Sequence, residues 1–359
     1  MNIKDLGYDD FFESNRKKLG LDCFQIARVI AEYKEAYKIK NSDGEYLAKI
    51  TGKQIFKASS REDYPAVGDW VAITQLDEDS AIIHDIFPRR TVMKRKYCSK
   101  NESQIIATNV DVAYIIESVD RDYNLNRFER YFATAMDGGI KPAIILNKID
   151  LISKDELDSK LLQIKNRFRD VDMISISALT NEGLDELRRH ILRGKTYCFV
   201  GSSGVGKSSL INKLIGSSKI KTGDVGSHSG RGKHITTTRE MYFLEKGGIV
   251  IDNPGMREIG MTDTDTGIDS VFDEIVDLVK KCKFKNCTHI HETGCEVLKA
   301  LKSGKLDDER YSNYINLKKE TEYYEMTEVE KREKDQKFGK FMKNAKKDFR
   351  KFKHKDYGD

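Results

Sequence analysis

Residues 201–209, GSSGVGKSS, carry the spacing G-x-x-x-x-G-K-[ST] of a phosphate-binding loop. Glycines at these positions let backbone N–H groups turn toward phosphate oxygens, and the N-terminus of a following helix adds positive charge. Lys207 is expected to reach the β- and γ-phosphates of a nucleotide, and Ser208 is expected to bind Mg²⁺. A strand pattern at 197–200 and a helix pattern at 207–214 flank the loop, which argues against a chance glycine-rich turn. The predicted phosphate-binding residues are Gly201, Ser202, Ser203, Gly204, Val205, Gly206, Lys207, Ser208 and Ser209.

A second motif, Asn147-Lys-Ile-Asp150, ends an apolar strand pattern upstream of the phosphate loop. The Asp150 carboxylate can accept two hydrogen bonds from guanine, whereas adenine offers neither donor and would leave the carboxylate unpaired. Ser177-Ala178 ends the next strand pattern, where a backbone N–H could meet the guanine oxygen. These residues favour GTP, and an ATP-using P-loop enzyme is the alternative. The predicted base-binding residues are Asn147, Lys148, Ile149, Asp150, Ser177 and Ala178.

The catalytic end of the nucleotide site is expected downstream of the phosphate loop. Asp252-Asn-Pro-Gly255 follows a strand pattern at 248–251, so Asp252 would hold Mg²⁺ through water and Gly255 would offer its N–H to the γ-phosphate. A glycine-flanked loop at 230–238 contains three threonines, and one of them is expected to complete the Mg²⁺ shell when GTP is bound. The parts are complete but rotated in order, with the base-binding motif first. A parallel sheet permits this rotation because domain ends lie at the surface and close together.

Four metal-ligating side chains, Cys282, Cys287, His289 and Cys295, lie within fourteen residues. Three thiolates and one imidazole make a closed tetrahedral set, which is typical of one structural zinc ion with no open catalytic position. A segment this small would depend on the metal for its fold. His291 is a rival ligand, and reactive or redox thiols are a further alternative.

Two groups of short strand patterns must position these residues. Apolar runs at 111–119, 142–146, 173–177, 197–200 and 248–251 alternate with helix patterns such as 127–136 and 184–192, which indicates a mostly parallel sheet covered by helices. Upstream, five short strand patterns at 24–31, 36–40, 46–50, 70–75 and 81–87 favour a small OB-type barrel. From residue 269 onward the chain reads as helical, apart from the cysteine cluster.

Composition bounds the class of protein. A chain of 359 residues with 34% charged residues is typical of soluble globular proteins, and no run approaches the roughly 18 apolar residues of a membrane span. The N-terminus lacks the apolar core of a secretory signal, so we expect a cytoplasmic monomer with no membrane contact.

The basic charge of the chain is concentrated in its tail. Residues 331–359 hold twelve Lys or Arg and five Asp or Glu, which is +7 of a net +5, so the remainder sums to −2. Such a tail suggests an anionic polymer as partner, with a solvated charged helix as the alternative. Its apolar residues recur at helical spacing, either to meet bases or to pack on the protein itself: Phe338, Phe341, Ala345, Phe349 and Phe352.

The rotated motif order resembles the circularly permuted ribosome-assembly GTPases of the RsgA family, also called YjeQ. The resemblance rests on residues 145–150, 201–209 and 252–255, on Gly232-Lys-His234 with the threonines after it, and on the cysteine cluster. It spans about residues 21–325. The resemblance implies an N-terminal β OB-type barrel, a central α/β circularly permuted P-loop GTPase and a C-terminal mostly α zinc module. Together these domains would bind the 30S ribosomal subunit and its 16S rRNA and hydrolyse GTP to GDP with stimulation by the ribosome.

The resemblance also suggests how the reaction is catalysed. Met256 follows the D-x-x-G motif, where Ras-like switches have a glutamine that orients water. In the family a histidine of the preceding loop is thought to substitute, and His234 is the matching residue, with a contact to rRNA or solvent as its alternative role. The family commonly has three threonines directly after this histidine, but Ile235 occupies the first position here. Thr236 and Thr237 therefore compete for the Mg²⁺ contact, with Thr237 slightly preferred.

We predict five segments: an N-terminal extension (1–20), an OB-type domain (21–97), a GTPase domain (98–265), a zinc domain (266–325) and a basic tail (326–359). The second functional hypothesis is a zinc-bearing RNA-binding module whose nucleotide site is a ligand switch with negligible turnover.

Overall fold

The structure is a computed structural model that describes residues 1–96, 103–120, 123–216, 220, 239–253 and 265–327, together with 329–334, 336, 337, 340 and 342. Within this part of the chain lie a β-barrel, an α/β layer on a mostly parallel sheet, and a helical C-terminal region with a Cys/His cluster. This architecture confirms the predicted fold class. None of the helices in the described ranges has the length and apolar character needed to cross a bilayer.

The N-terminal extension is folded. It forms a 3₁₀ turn, Ile3–Leu6, and a helix α1, Asp10–Lys18. The side chain of Asp9 caps α1 by accepting a hydrogen bond from the N–H of Phe11. Leu6 and Phe12 are fully buried in an apolar cluster that also contains Trp70 of the barrel. The N-terminal extension therefore packs its apolar residues against the barrel.

Five strands form the barrel, and their bounds lie within two residues of the sequence patterns. They are β1 (Gln25–Glu32), β2 (Tyr37–Lys40), β3 (Glu45–Ile50), β4 (Trp70–Gln75) and β5 (Ser80–Ile86), with helix α2 (Gly52–Lys57) after β3. Their order is β1-β2-β3-β5-β4, and an antiparallel pairing of β4 with β1 closes the sheet. Inward-facing apolar residues of all five strands fill the interior.

A hairpin joins the barrel to the α/β layer. Its strands, β6 (Val92–Lys96) and β7 (Ser103–Thr108), are antiparallel. The sequence analysis did not predict this hairpin. Its inward residues Met93, Ile106 and Ala107 are fully buried in the main apolar core of the α/β layer.

The α/β layer alternates strands and helices. Its strands are β8 (Val112–Ser118), β9 (Lys141–Asn147), β10 (Met173–Ile176), β11 (Thr196–Val200), β12 (Glu240–Phe243) and β13 (Ile249–Asp252). Its helices are α3 (Leu125–Asp137), α4 (Lys154–Arg167), α5 (Leu184–His190) and α6 (Lys207–Ile215). The order β10-β9-β8-β11-β13 is parallel throughout, and β12 is antiparallel to β13. Strand β11, which leads into the phosphate loop, therefore lies between strands that come before and after it in the chain.

The barrel and the α/β layer share one sheet. Strand β12 pairs with β13 on one side and with β1 on the other, where Ala31 lies opposite Glu240. The described strands of the two domains thus form a single hydrogen-bonded sheet of eleven strands.

The C-terminal region packs on α3. Its helices are α7 (Thr266–Val271), α8 (Asp273–Val279), α9 (Glu296–Lys302) and α10 (Asp308–Glu325). Gly267 allows α7 to approach α3 closely, because a Cβ atom there would lie 2.0 Å from the carbonyl oxygen of Ala133. The domain boundaries themselves stay a prediction.

Candidate nucleotide and metal sites

The carboxyl ends of the five parallel strands bring the predicted motifs to one edge of the sheet. The phosphate loop follows β11, the Asn147–Asp150 motif ends β9, Ser177 follows β10, and Asp252 ends β13. Ligands of open α/β sheets bind at this edge, where loops from neighbouring strands converge. Residues from both halves of the rotated motif order therefore face one region.

The phosphate loop has the conformation that its glycines permit. Gly201, Gly204 and Gly206 have φ angles of 150°, 87° and 96°. A Cβ atom at Gly201 would lie 2.2 Å from the carbonyl oxygen of Ile116 in β8. The ammonium group of Lys207 donates hydrogen bonds of 2.7 Å to the carbonyls of Gly201 and Ser202. The lysine thus links the start of the loop to the first turn of α6.

Asn147 connects the base-binding motif to the phosphate loop. Its side-chain amide donates to the carbonyl of Val205 at 2.7 Å, and its side-chain oxygen accepts from the backbone N–H of Ala178 at 3.2 Å. Asn147 is 1% exposed, and its bond to Val205 is buried while its bond to Ala178 is partly buried. The fit is close, since a Cβ atom at Gly206 would lie 2.3 Å from the Asn147 amide nitrogen. One buried side chain therefore holds three loops of the site in register.

The neighbouring residues of this motif also have partners. Lys148 adopts a left-handed backbone conformation with φ of 64°, and its ammonium group lies 2.9 Å from the carboxylate of Asp120. The carboxylate of Asp150, on an exposed residue, accepts a hydrogen bond from the hydroxyl of buried Ser177. Ser177 Oγ in turn accepts from the N–H of Thr180 at 3.1 Å. The Asp150 carboxylate is therefore fixed in direction while it stays open to a ligand.

Two opposite charges are buried beside the phosphate loop. Burial lowers the pKa of Lys207 to about 8, against the opposing charges of Asp252 and Glu117. Burial raises the pKa of Asp252 to about 6, against the opposing charge of Lys207. Anionic phosphates would stabilise the charged form of the lysine, and a cation would stabilise that of the aspartate.

The residues at this position fit Mg²⁺. Asp252 Oδ1 is buried and has no hydrogen-bond partner among the described residues. A buried carboxylate oxygen without a donor is suited to a cation or to a water molecule bound to it. Ser208, half-buried in the first turn of α6, would supply the second oxygen ligand.

The structure describes all predicted nucleotide-site residues from Asn147 to Ser209 and Asp252, at the loops stated above. Four predicted residues lie outside the described residues: His234, Thr236, Thr237 and Gly255. Their roles stay predictions.

Sequence reasoning missed a buried carboxylate at this edge. Glu117, near the end of β8, is fully buried and pairs with Arg127 of α3 at 3.1 Å. Its charge acts on Lys207. The signal was present, because Glu117 stands inside the apolar run of β8, where a charged residue needs a partner.

Cys282, Cys287, His289 and Cys295 form a second candidate site, and their ligand atoms all lie within 4.8 Å of one another. The Sγ atom of Cys282 lies 3.9 Å from that of Cys295 and 3.7 Å from Nδ1 of His289. Zinc–sulfur bonds of about 2.3 Å separate two sulfurs of a tetrahedral site by about 3.8 Å. The four residues therefore fit one zinc ion.

Local structure holds this cluster together. Cys295 caps α9, and its sulfur accepts from the N–H of Leu298 at 3.4 Å. His289 has a φ angle of 60°, and its carbonyl accepts a 2.7 Å hydrogen bond from the Tyr311 hydroxyl of α10. His291, the rival ligand, is exposed and is not among the four converging residues.

Comparisons with known sequences point to one family. Residues 86–262 match the family model described as RsgA GTPase. The small ribosomal subunit biogenesis GTPase RsgA 1 of Bacteroides thetaiotaomicron is 38% identical over 323 residues, which cover 89% of this chain and 90% of that protein. Its counterpart RsgA 2 from Lactiplantibacillus plantarum is 37% identical over 333 residues, which cover 92% and 93%.

Solved structures agree on the fold. YjeQ from Thermotoga maritima superposes with a TM-score of 0.61 at 24% identity, covering 82% of this chain and 96% of that chain. YloQ, described as a circularly permuted GTPase, gives 0.59 at 22% identity, covering 85% and 98%. The rotated order of motifs read from the sequence is therefore a property of this fold.

Proposed function

This chain belongs to the RsgA GTPase family and is a GTP hydrolase, and from that premise we propose that it acts on the small ribosomal subunit. It would bind the 30S subunit through 16S rRNA in late biogenesis and hydrolyse GTP to GDP and phosphate there, with stimulation by the ribosome. The names of its relatives as small ribosomal subunit biogenesis GTPases support the partner. The observation that carries the nucleotide part is the contact of Asn147 with both Val205 and Ala178.

The described residues divide the work of holding GTP. Asp150 would accept from guanine, and the N–H groups around Ala178 would meet the guanine oxygen. Lys207 would exchange its two carbonyl partners for β- and γ-phosphate oxygens, which would stabilise its positive charge in a buried site. Mg²⁺ bound by Ser208 and Asp252 would neutralise charge on the phosphates. Gly255 and one threonine, Thr236 or Thr237, would complete this end of the site.

His234 is the proposed water-orienting residue. A neutral imidazole can accept a hydrogen bond from water and direct it at the γ-phosphate. Met256 stands where Ras-like proteins have glutamine, so the isolated protein would hydrolyse GTP slowly. Binding to the ribosome would then order the catalytic loop and raise the rate.

Two exposed faces support an RNA partner. In α2, Phe56 is 93% exposed and lies between Lys53 and Lys57. In the zinc module, the ring of Phe284 is half-exposed and the ammonium group of Lys283 lies 5.4 Å from its centre. Lysines neutralise phosphates, and exposed aromatic rings stack on unpaired bases. The structural zinc would hold the second of these faces in shape.

The deciding experiment is GTP turnover measured with and without 30S subunits across a salt series. We expect strong stimulation by the subunits that falls steeply with salt, because each phosphate contact releases counterions. GTP binding without turnover under either condition would favour the nucleotide-switched RNA-binding module instead. Preferential competition by ATP would favour the ATP-using enzyme.

A further inference from the structure

Helix α3 lies between the phosphate loop and the C-terminal helices. Side chains from one side of α3 reach β8 and the phosphate loop, and side chains from the other side reach α10. None of the predicted nucleotide-binding motifs lies on α3.

The contacts toward the phosphate loop involve Arg127 and Tyr131, one helical turn apart. Arg127 pairs with the fully buried carboxylate of Glu117, in the strand next to β11. Tyr131 is 2% exposed and shares its apolar core with Val200, the last residue of β11 before the phosphate loop. The side chain of Ser202 in that loop lies near the Tyr131 hydroxyl, where it lowers a pKa that burial raises. The start of the phosphate loop therefore lies beside α3, in addition to being held by the hydrogen bonds of Lys207.

The contacts toward the C-terminal helices involve Glu129 and Arg130. Glu129 is fully buried, and its carboxylate accepts from Arg310 at 2.9 Å and from the amide of Asn313, both in α10. Arg130 makes a two-point contact with Glu320 of α10, at 2.7 and 2.6 Å. Such planar, two-point pairs fix orientation as well as distance.

Helix α3 is closely packed between these two sets of contacts. Arg130 and Tyr131 are adjacent in sequence, so a shift of one moves the other. On the same helix, the backbone of Ala133 lies against Gly267 of α7. Close-packed elements of this kind transmit displacement rather than absorb it.

We propose that Tyr131 and Arg127 are positioning residues of the phosphate loop, and that the C-terminal helices set their position through Glu129 and Arg130. Docking of the zinc-bearing region on α3 is then part of the affinity for nucleotide. This inference rests on the proposed nucleotide site.

The test is the affinity of the full-length protein for a fluorescent GDP analogue, measured without ribosomes. The variant Glu320→Gln, which lies outside the phosphate loop, is expected to weaken GDP binding by about 5- to 10-fold, the lower part of the usual range of coupling between sites. Tyr131→Phe is expected to weaken it similarly, and the double variant by less than the product of the two effects, because both act through one helix. The exchange of charges in Arg130→Glu with Glu320→Arg is expected to restore affinity.

Asp172→Asn is the matched control, because Asp172 forms an exposed ion pair with Lys141 in the same layer. It is expected to leave the affinity unchanged. A folded Glu320→Gln variant that binds GDP as tightly as the wild type would overturn the inference. If Glu320→Gln does not fold, Arg130→Lys, which keeps the charge but removes the two-point contact, is read in the same way. Absence of GDP binding by the wild type would instead remove the nucleotide site itself.

Discussion

The amide nitrogen of Asn147 lies 2.7 Å from the carbonyl oxygen of Val205, although 58 residues separate them in the chain. Asn147 precedes the phosphate loop in sequence, and Val205 is part of that loop. This contact joins the upstream motif to the phosphate loop in the folded chain. The predicted base-binding and phosphate-binding loops are fixed to each other by one buried side chain.

Replacement of Asn147 by alanine should therefore weaken nucleotide binding. The change removes one buried and one partly buried hydrogen bond, each worth about 1 kcal/mol, so the Kd for GDP should rise by roughly 10- to 100-fold. Calorimetric titration with GDP checks this, and Asn166→Ala on the exposed face of α4 is the control. A wild-type Kd in Asn147→Ala would mean that the two loops do not depend on each other.

Asp150→Asn should change the base that is preferred. The carboxylate becomes an amide that can donate to the xanthine oxygen, and guanine loses its acceptor. We expect GDP affinity to fall by about 100-fold or more while XDP affinity rises, because an unmatched polar group in such a site is costly. Competition between GDP and XDP measures this preference. The exposed residue Asp158, changed to asparagine, should leave it unaltered.

Removal of zinc should unfold the segment around the cysteine cluster. The free energy of metal binding adds to that of folding in such a site, so Cys287→Ser or a strong chelator should abolish stoichiometric zinc and lower the Tm. Metal analysis and thermal scans are the measurements. Cys23→Ser, at an exposed cysteine, should retain one zinc per chain and the original Tm. Retention of zinc in Cys287→Ser would require a different ligand set.

His234→Ala should separate binding from turnover. If His234 orients water, ribosome-stimulated hydrolysis should fall by about 100-fold or more, in the range of general-base effects, with GTP affinity unchanged. Single-turnover assays with 30S subunits give both quantities. His190→Ala, at an exposed position of α5, should behave as the wild type. Loss of 30S binding in His234→Ala would indicate an RNA contact instead.

The N-terminal extension should contribute to stability through its apolar residues rather than its charges. Leu6 is fully buried, so Leu6→Ala should reduce the free energy of unfolding by about 2–5 kcal/mol. Arg193 pairs with Asp5 and has a side chain that is 70% exposed, so Arg193→Ala should lower the free energy of unfolding much less than Leu6→Ala. Urea unfolding measures both. Equal effects of the two substitutions would contradict this ranking.

The sequence predicted the strands of the barrel and the parallel sheet because their apolar periodicity is strong. The pattern at 70–75 coincides with β4, and the pattern at 111–119 contains all of β8. Strand β12 and the β6–β7 hairpin were missed. Their formation depends on partners distant in sequence, since Glu240 pairs with Ala31 and Met93 packs in the core of the α/β layer.

The sequence likewise predicted some residues around the nucleotide site and missed others. Spacing alone predicted Asn147, Asp150, Lys207 and Asp252, because each proposed role requires a fixed residue type at a fixed distance from a strand end. Glu117, Arg127 and Tyr131 have no such spacing, and only the packing of α3 reveals them. The packing of the N-terminal extension on the barrel was not predicted either, because burial of Leu6 depends on Trp70 and Arg28 further along the chain.

The pairing of Ala31 with Glu240 connects the barrel to the α/β layer through neighbouring strands. Residues 221–238, which contain His234 and the two candidate threonines, lead directly into β12. Glu240, the first residue of β12, also lies opposite Asp252, so a displacement of β1 would act through backbone pairing on the strand end that carries the proposed Mg²⁺ ligand.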